Sequence, residues 1–220
     1  MLQIIFNMKH ISRDDISQME KIERLNLINS CTGYKSASLI GTKSLDGKSN
    51  VAIFSSVTHL GSNPAMIGFI MRPTTVPRDT YKNIKETGYF TINHITVDMI
   101  ADAHHTSANY EPGISEFAKT NLEEEYKINI ETPFVKGSPV QMYCKYLNEY
   151  YIKENDTIHV IASIENLFFV EDLEHKDGWL QLDRANVVAI NGLDGYCLPT
   201  LINRYQYARK EIPSTSFIKK

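Results

Sequence analysis

The sequence NVAIFSSVTHLGSNPAMIGFIMRPTTVPRDTYKNIKETGYFTIN, residues 50–93, contains the signals from which the architecture of this chain can be inferred. Its apolar and β-branched runs are separated by turn residues and predict strands, while a charged run closed by glycine predicts a helix. The predicted elements are a strand over 50–57, a turn at 61–64, a strand over 65–71, a helix from Pro77 to Gly88 and a strand over 89–95.

The start of that helix is a candidate anion-binding site. Arg72 and Arg78 precede it, and Thr80 lies in its opening turn. The first N–H groups of a helix lack internal partners and carry the positive end of its dipole, and arginine forks bind phosphate oxygens well. The hydroxyl-rich strand end at 55–58 could bind the other end of the same ligand. An ordinary strand–helix unit with solvated arginines is equally compatible with this spacing.

Strand signals dominate the rest of the chain. The Asp46-Gly47 pair predicts a hairpin turn into the first strand of the stretch above, and residues 157–170 alternate apolar and polar side chains. The remaining predicted elements are a helix over 12–29 packed outside a sheet, strands over 34–43, 139–152, 157–170 and 185–192, a turn at 155–156, short helices over 97–107 and 114–121, an acidic solvated corner at 123–125 and an irregular link over 133–139.

This pattern favours a mainly β fold, a β-barrel with connecting helices. Short turns between antiparallel strands are typical of barrels, which close off their sheet edges. A doubly wound α/β sheet is disfavoured because strands and helices do not alternate regularly.

Composition sets further limits. The chain has 220 residues, 42% of them hydrophobic, which suits one large domain over 1–220 with an N-terminal extension at 1–12 and a C-terminal tail at 199–220. A net charge of −3 gives no reason to expect a nucleic acid or membrane partner. Three separated cysteines without a CxxC pair predict a reducing, cytoplasmic setting.

Several common catalytic motifs are absent from the sequence. It contains no GxGxxG after the first strand, no GxxxxGK[ST] and no GxSxG, so a nicotinamide cofactor would have to bind without its usual domain. Adjacent helical residues point about 100° apart, so His104 and His105 are not expected to share a metal. His59 is either a turn residue at the surface or a residue facing a ligand. No metal site and no catalytic residue is predicted.

An ordered series of short motifs resembles the flavin reductase-like, FMN-binding split-barrel family. The matching pieces are Asn50-Val51-Ala52, Phe54-Ser55-Ser56, Gly68-Phe69-Ile70, Arg72-Pro73, Arg78-Asp79-Thr80-Tyr81-Lys82-Asn83-Ile84, Phe90-Thr91-Ile92-Asn93, Ser107, Tyr110 and Ser115-Glu116-Phe117. The resemblance covers about residues 27–207. It implies an FMN-binding split barrel of Greek-key type.

The resemblance also implies roles for individual residues. Asn50, Ser55, Ser56, Val57 and Thr58 would line the flavin ring and ribityl chain. The FMN phosphate would be held by Arg72, Arg78, Thr80 and Asn83. Ser107 and Tyr110 would lie near the cofactor, and they could come from the neighbouring subunit of a homodimer.

The activity that the resemblance implies is hydride transfer from NADH or NADPH to flavin, with the cofactor supplying the chemistry. The reduced flavin would then serve a monooxygenase or another electron acceptor. Two alternatives remain open at this point: a flavoredoxin-like FMN electron carrier that does not use NAD(P)H directly, and a barrel that no longer binds flavin and serves only as a binding module.

Overall fold

The structure is a computed structural model and describes residues 7–216; the two ends of the predicted extension and tail, 1–6 and 217–220, lie outside that range. Its helices are α1 Arg13–Gln18, α2 Lys21–Cys31, α3 Asp79–Thr87 and α4 Ile100–His105. Its strands are β1 Tyr34–Ser36, β2 Ser38–Lys43, β3 Ser49–Phe54, β4 Thr58–Ser62, β5 Ala65–Met71, β6 Tyr89–His94, β7 Glu124–Lys127, β8 Ile130–Val135, β9 Val140–Ile152, β10 Thr157–Phe169, β11 Ala189–Asn191 and β12 Gly195–Cys197. Short 3₁₀ turns occur at Val97–Met99, Glu116–Lys119, Glu171–Leu173 and Leu182–Ala185.

Seven strands form one antiparallel sheet in the order β3-β2-β6-β9-β10-β5-β4. The predicted mainly β barrel with connecting helices is confirmed. Strands β3 and β4 follow each other in the chain but lie at opposite ends of this order, so the barrel is split between them. Residues 55–57 cross the split, and the long β9–β10 hairpin forms the opposite wall.

Two hydrophobic clusters hold the barrel together. Inside the barrel, Phe69 packs edge-on against Phe54 and Phe90, with ring centroids 5.3 and 5.5 Å apart. The alternation predicted over β10 is confirmed: Ile158, Val160, Ala162 and Ile164 lie on one face and all join this inner cluster. A second cluster covers the outer face of β2 and β3 with residues from α4, β8 and β11, among them Leu39, Val51, Ala103, Val135 and Ile190. Full burial of one such large side chain contributes about 1.5–3 kcal/mol.

One glycine is required by the close crossing of β8 over β2. A Cβ placed on Gly41 would lie 2.3 Å from the Pro133 carbonyl oxygen and 2.6 Å from the Thr91 hydroxyl. Any side chain at position 41 is therefore excluded. The irregular link predicted over 133–139 begins instead as part of β8, which is paired with β7.

Helix α3, which precedes β6, ends as predicted but begins later. Gly88 is its C-cap with φ 77°, a left-handed conformation that costs glycine little. Arg78 is the N-cap in an extended conformation, so the first helical residue is Asp79 rather than Pro77.

The N-terminal helical region departs from the prediction in two ways. The Ser12–Asp15 capping box is present, but the helix breaks at Met19, whose backbone is extended and whose carbonyl accepts a 2.9 Å hydrogen bond from Arg24 Nη1. Ile22 and Leu25 remain 65% and 38% exposed. The prediction that this helix packs its apolar face on a sheet is therefore wrong for the described residues.

Other observed element boundaries differ from the predicted ones, because pairing between strands, and not the local sequence pattern, decides where a strand ends. The strand predicted over 50–57 stops at Phe54, and the turn predicted at 61–64 is partly strand β4. The predicted helices over 97–107 and 114–121 shrink to a 3₁₀ turn plus α4 and to one 3₁₀ turn, and the acidic corner is partly strand β7. The strand predicted over 185–192 shortens to β11. Within residues 7–216, no helix is long and apolar enough to cross a membrane.

Candidate functional site

The open edge of β3 presents a row of backbone donors at the split. Val51 N–H donates to Glu116 Oε2 at 3.2 Å, and Ile53 N–H donates to Thr106 Oγ1 at 2.9 Å. Because alternate residues of a strand face the same edge, the next N–H in the row belongs to Ser55. Within the described residues it donates no hydrogen bond. This N–H is available to an acceptor atom of a ligand.

The residues that cross the split are held by their neighbours. The Ser56 hydroxyl donates to the Ile70 carbonyl at 3.3 Å and accepts from the Ile70 N–H at 3.0 Å, so it replaces a backbone pair on β5. The Val57 carbonyl accepts from Ser36 Oγ at 3.0 Å, while its side chain packs on the inner cluster. Thr58 is exposed at the start of β4. A ligand at the split would therefore meet backbone groups held in place by side chains.

Three of the predicted residues take part in two separate buried side-chain contacts between the first turns of α3 and the strands β2 and β3. The Asn50 amide lies 3.0 Å from Thr80 Oγ1, and Asn83 Nδ2 donates to Thr42 Oγ1 at 3.0 Å. Asn50, Thr80 and Asn83 are only 3–6% exposed. The two contacts fix α3 against β2 and β3, so these side chains set the position of the helix start as well as lining it.

Both predicted arginines lack an acidic partner among residues 7–216. Arg72 is exposed directly after β5, while Arg78 is half-buried at the start of α3. Its Nε is buried and donates to no group in the described chain. An unpaired buried donor of this kind costs about 1–3 kcal/mol, and a charged one costs more. The position therefore suits an anionic ligand.

The predicted residue Ser107 lies beside this edge. Its hydroxyl donates to the His104 carbonyl at 2.7 Å, and the preceding residue, Thr106, holds Ile53. His104 and His105 contact different tyrosines: His104 Nδ1 lies 3.2 Å from Tyr196 Oη, and His105 Nε2 lies 2.6 Å from that of Tyr110.

The structure does not bring His59 into this group. It is exposed on β4, with Ile67 opposite it on β5. In the described part of the chain, no three His, Cys, Asp or Glu side chains form a metal-binding group.

A cavity of about 210 Å³ adjoins the start of α3, between the β2–β3 hairpin and the loop after Tyr110. Its polar lining includes Asp46, Lys48, Asn50, Asp79, Lys82 and Ser115. Gly113 N–H donates to Asp79 Oδ2 at 3.0 Å and ties the loop to the helix. A shallower depression of about 570 Å³ on the β7–β8 hairpin contains none of the predicted site residues, so we assign it no role.

The sequence did not reveal the two side chains that accept N–H groups of the open edge of β3, although one of them, Glu116, lies in a matching motif. Thr106 and Glu116 lie in connecting segments, and no local pattern marks either as a partner for a strand 53 or 65 residues away. Burial raises the pKa of the Glu116 carboxyl; backbone N–H groups of Glu116 and Val51 oppose this, and the nearby Asp79 carboxylate reinforces it.

Comparisons with known proteins identify the family and the fold of this chain. The profile of the Flavin reductase like domain matches residues 35–189. A protein from Shewanella frigidimarina, named as a flavin reductase with a split barrel domain, is 40% identical with a TM-score of 0.88 over 91% of this chain and 100% of that one.

Two more distant structures share the fold. Component B of nitrilotriacetate monooxygenase from Bacillus cereus is 18% identical, with a TM-score of 0.77 over 93% of this chain and 100% of that chain. Flavoredoxin of Desulfovibrio vulgaris is 20% identical, with a TM-score of 0.65 over 81% of this chain and 91% of that one. The resemblance noted in the motifs and the split-barrel fold are thus both confirmed, and this chain belongs to the flavin reductase-like family.

Proposed function

We propose that this protein binds FMN at the split of the barrel and is an NAD(P)H-dependent flavin reductase. The observation that carries the proposal is the unpaired, partly buried Arg78 at the start of α3, a helix that packs on β3, together with the Ser55 N–H after β3, which donates no hydrogen bond within the described residues. One feature suits a phosphate and the other suits the acceptor atoms of a flavin ring. Family membership supports the same ligand.

Each group of residues has a defined task in this proposal. Arg72, Arg78 and the first N–H groups of α3 bind a phosphate that carries about −1.5 to −2 charges. Thr80 adds a hydroxyl, and Asn83 holds the helix start in place. These contacts bind and orient the cofactor, which is the protein's main contribution in flavin enzymes.

The segment across the split binds the ring. Ser55, Ser56 and Val57 offer backbone donors, Asn50 lies at the other end of the same strand, and Thr58 and Ser107 flank the opening. Small side chains let the backbone come close to a flat ring. The bound flavin supplies the hydride-accepting chemistry, so no side chain of this chain has to act as an acid or a base.

Anaerobic titration of the purified, FMN-loaded protein with NADH and with NADPH tests the reductase proposal. Loss of the oxidised-flavin absorbance near stoichiometric nicotinamide supports it, and turnover of added free FMN extends it to a reductase that releases its product. Protein that takes up no FMN would refute both the site and the activity.

A flavoredoxin-like electron carrier is the second candidate, favoured by the shared fold with flavoredoxin and by the absence of a dinucleotide-binding motif in the sequence. It predicts that bound FMN is reduced by dithionite or a protein donor and not by either nicotinamide. The fold shared with the monooxygenase component from Bacillus cereus supports the other outcome, delivery of reduced flavin to an oxygenase.

We also propose that the whole chain, 1–220, is one domain that works as a homodimer in the cytoplasm. Exposed apolar side chains support the dimer: Ile22 is 65% exposed and Tyr207 is 94% exposed. Free thiols at Cys31, Cys144 and Cys197 suit a reducing compartment. Light scattering after gel filtration tests the dimer, and a monomer at micromolar concentration would contradict it.

A further inference from the structure

Three polar side chains link the open edge of β3 to the start of α3. Glu116 Oε2 lies 3.1 Å from one terminal atom of the Asn50 amide, and the other terminal atom lies 3.0 Å from Thr80 Oγ1. Glu116 also accepts the Val51 N–H at 3.2 Å. The chain Glu116–Asn50–Thr80 therefore joins a carboxyl group to a hydroxyl of the proposed phosphate site.

This chain of contacts has two complete hydrogen-bond patterns, which differ by one proton. When Glu116 is ionised, Asn50 Nδ2 donates to it, and Asn50 Oδ1 accepts the Thr80 hydroxyl hydrogen and also lies 3.2 Å from the Val51 N–H. When Glu116 is protonated, its O–H donates to Asn50 Oδ1, Asn50 Nδ2 donates to Thr80 Oγ1, and the Val51 N–H is accepted by Glu116 Oε2 alone. The Asn50 amide turns by 180° between them. In the second pattern the Thr80 hydrogen is no longer held and can donate to another group.

We propose that Glu116 is a positioning residue that couples anion binding at the start of α3 to the uptake of one proton. The proton comes from solvent and resides on Glu116, the Asn50 amide turns, and the Thr80 hydroxyl is released to donate to the phosphate. This inference rests on the proposed function, because it takes the phosphate of FMN as the anion.

The surroundings of Glu116 favour the protonated form. Burial raises the pKa of the Glu116 carboxyl, and Asp79 adds a charge of the same sign. The other charged groups of the elements around it are Asp46 and Lys48 on the β2–β3 hairpin, Arg78 and Lys82 at the start of α3, and Lys119 on its own turn. The Asp79 carboxylate acts in the same direction as burial and raises the pKa of Glu116 further. A phosphate dianion would act in the same direction as Asp79.

Calorimetric titration with FMN, in buffers of different ionisation enthalpy between pH 6.5 and 8.5, counts the protons taken up on binding. Glu116→Gln is the matched variant, because its amide can donate to Asn50 as protonated Glu116 does. Riboflavin, which lacks the phosphate, is the matched ligand. Since the FMN phosphate itself titrates near pH 6, the informative quantity is the difference between the wild-type protein and the variant.

The wild-type protein should take up as much as one proton more than Glu116→Gln when FMN binds. The Kd of the wild-type protein for FMN should rise with pH more steeply than that of Glu116→Gln, by as much as about tenfold per pH unit. With riboflavin, the two proteins should take up the same number of protons. Equal proton counts with FMN in the two proteins would overturn the inference and leave the proposed function standing. If FMN bound neither protein at any pH, the proposed function and the inference would fall together.

A second pair of variants keeps the test valid if Glu116→Gln does not fold. Thr80→Ser retains the hydroxyl and should retain the extra proton uptake. Thr80→Val has no hydroxyl to release and should lose that uptake. Uptake that persists unchanged in Thr80→Val would contradict the relay, because the proton would then respond to the phosphate charge without Thr80.

Discussion

Replacing Arg78 with alanine should separate ligand binding from stability. In the structure the Arg78 Nε is buried without a partner, so the side chain costs desolvation and gains no hydrogen bond in return. Most mutations of a half-buried side chain weaken a protein. Here the loss of packing by the Arg78 stem and the removal of an unsatisfied donor oppose each other.

The expected effect of Arg78→Ala on FMN affinity is larger than its expected effect on the unfolding free energy. A hydrogen bond to a charged group contributes about 1.5–3 kcal/mol, so the variant should bind FMN roughly 10- to 150-fold more weakly. The unfolding free energy without ligand should change by less than about 1 kcal/mol, because the two opposing terms are of similar size. At FMN concentrations of 100 times the wild-type Kd, ligand should stabilise the wild-type protein by about 2.7 kcal/mol and the variant by roughly 0.3–1.4 kcal/mol.

Fluorescence titration with FMN and with riboflavin measures the affinities, and urea unfolding with and without FMN measures the unfolding free energy and its increase on FMN binding. Arg13→Ala, a change at an exposed arginine on α1, is the control and should behave as the wild-type protein does. Riboflavin affinity should be nearly unchanged in Arg78→Ala. Equal losses for the two ligands, or unchanged FMN affinity, would refute the assignment of Arg78 to the phosphate.

Three further predictions concern the barrel itself. Gly41→Ala should destabilise the protein by about 1–3 kcal/mol in urea unfolding, because the new Cβ meets the Pro133 carbonyl at 2.3 Å; an unchanged midpoint would mean that β8 can move away. Burial raises the pKa of the Cys144 thiol, so iodoacetamide at pH 8 should modify exposed Cys31 and spare Cys144 in native protein, as read by peptide mass spectrometry; labelling of both would indicate an open barrel. Burial lowers the pKa of His94, so the unfolded chain binds more protons between that lowered value and its ordinary value of about 6.5. Stability should therefore fall as the pH drops below about 6.5. His94→Gln should flatten this fall in urea unfolding between pH 7.5 and 5.5, and an identical fall in both proteins would assign it to other groups.

Much of the barrel could be predicted because its strongest signals are local. The alternation over β10 predicted that its apolar residues share one face, which the structure confirms, and Gly88 predicted a helix end with a left-handed residue. Strand β4 was not predicted, because its residues are largely exposed and carry no alternation. Its pairing with β5 comes from the hairpin around it, which sequence periodicity does not report.

The residues of the candidate site were likewise predicted only in part. Motif resemblance named Asn50 and Thr80, which lie 30 residues apart in the sequence, and the fold brings their side chains into contact. It also named Asn83, whose side chain contacts Thr42 instead. Thr106 and Glu116 were missed as edge partners because their role depends on which N–H groups of β3 remain unpaired. Only the strand order reveals that edge.

The amino-acid sequence alone determined the β-rich class, the hairpin at Asp46-Gly47, the stop of α3 at Gly88 and the family motifs. These depend on backbone preferences and periodicity within a few residues, which the chain carries wherever it folds. The tertiary structure alone decided where the barrel splits, which N–H groups stay open there, and that Arg78 is buried without a partner. Those properties depend on contacts between distant segments, so they exist only after the sheet has assembled.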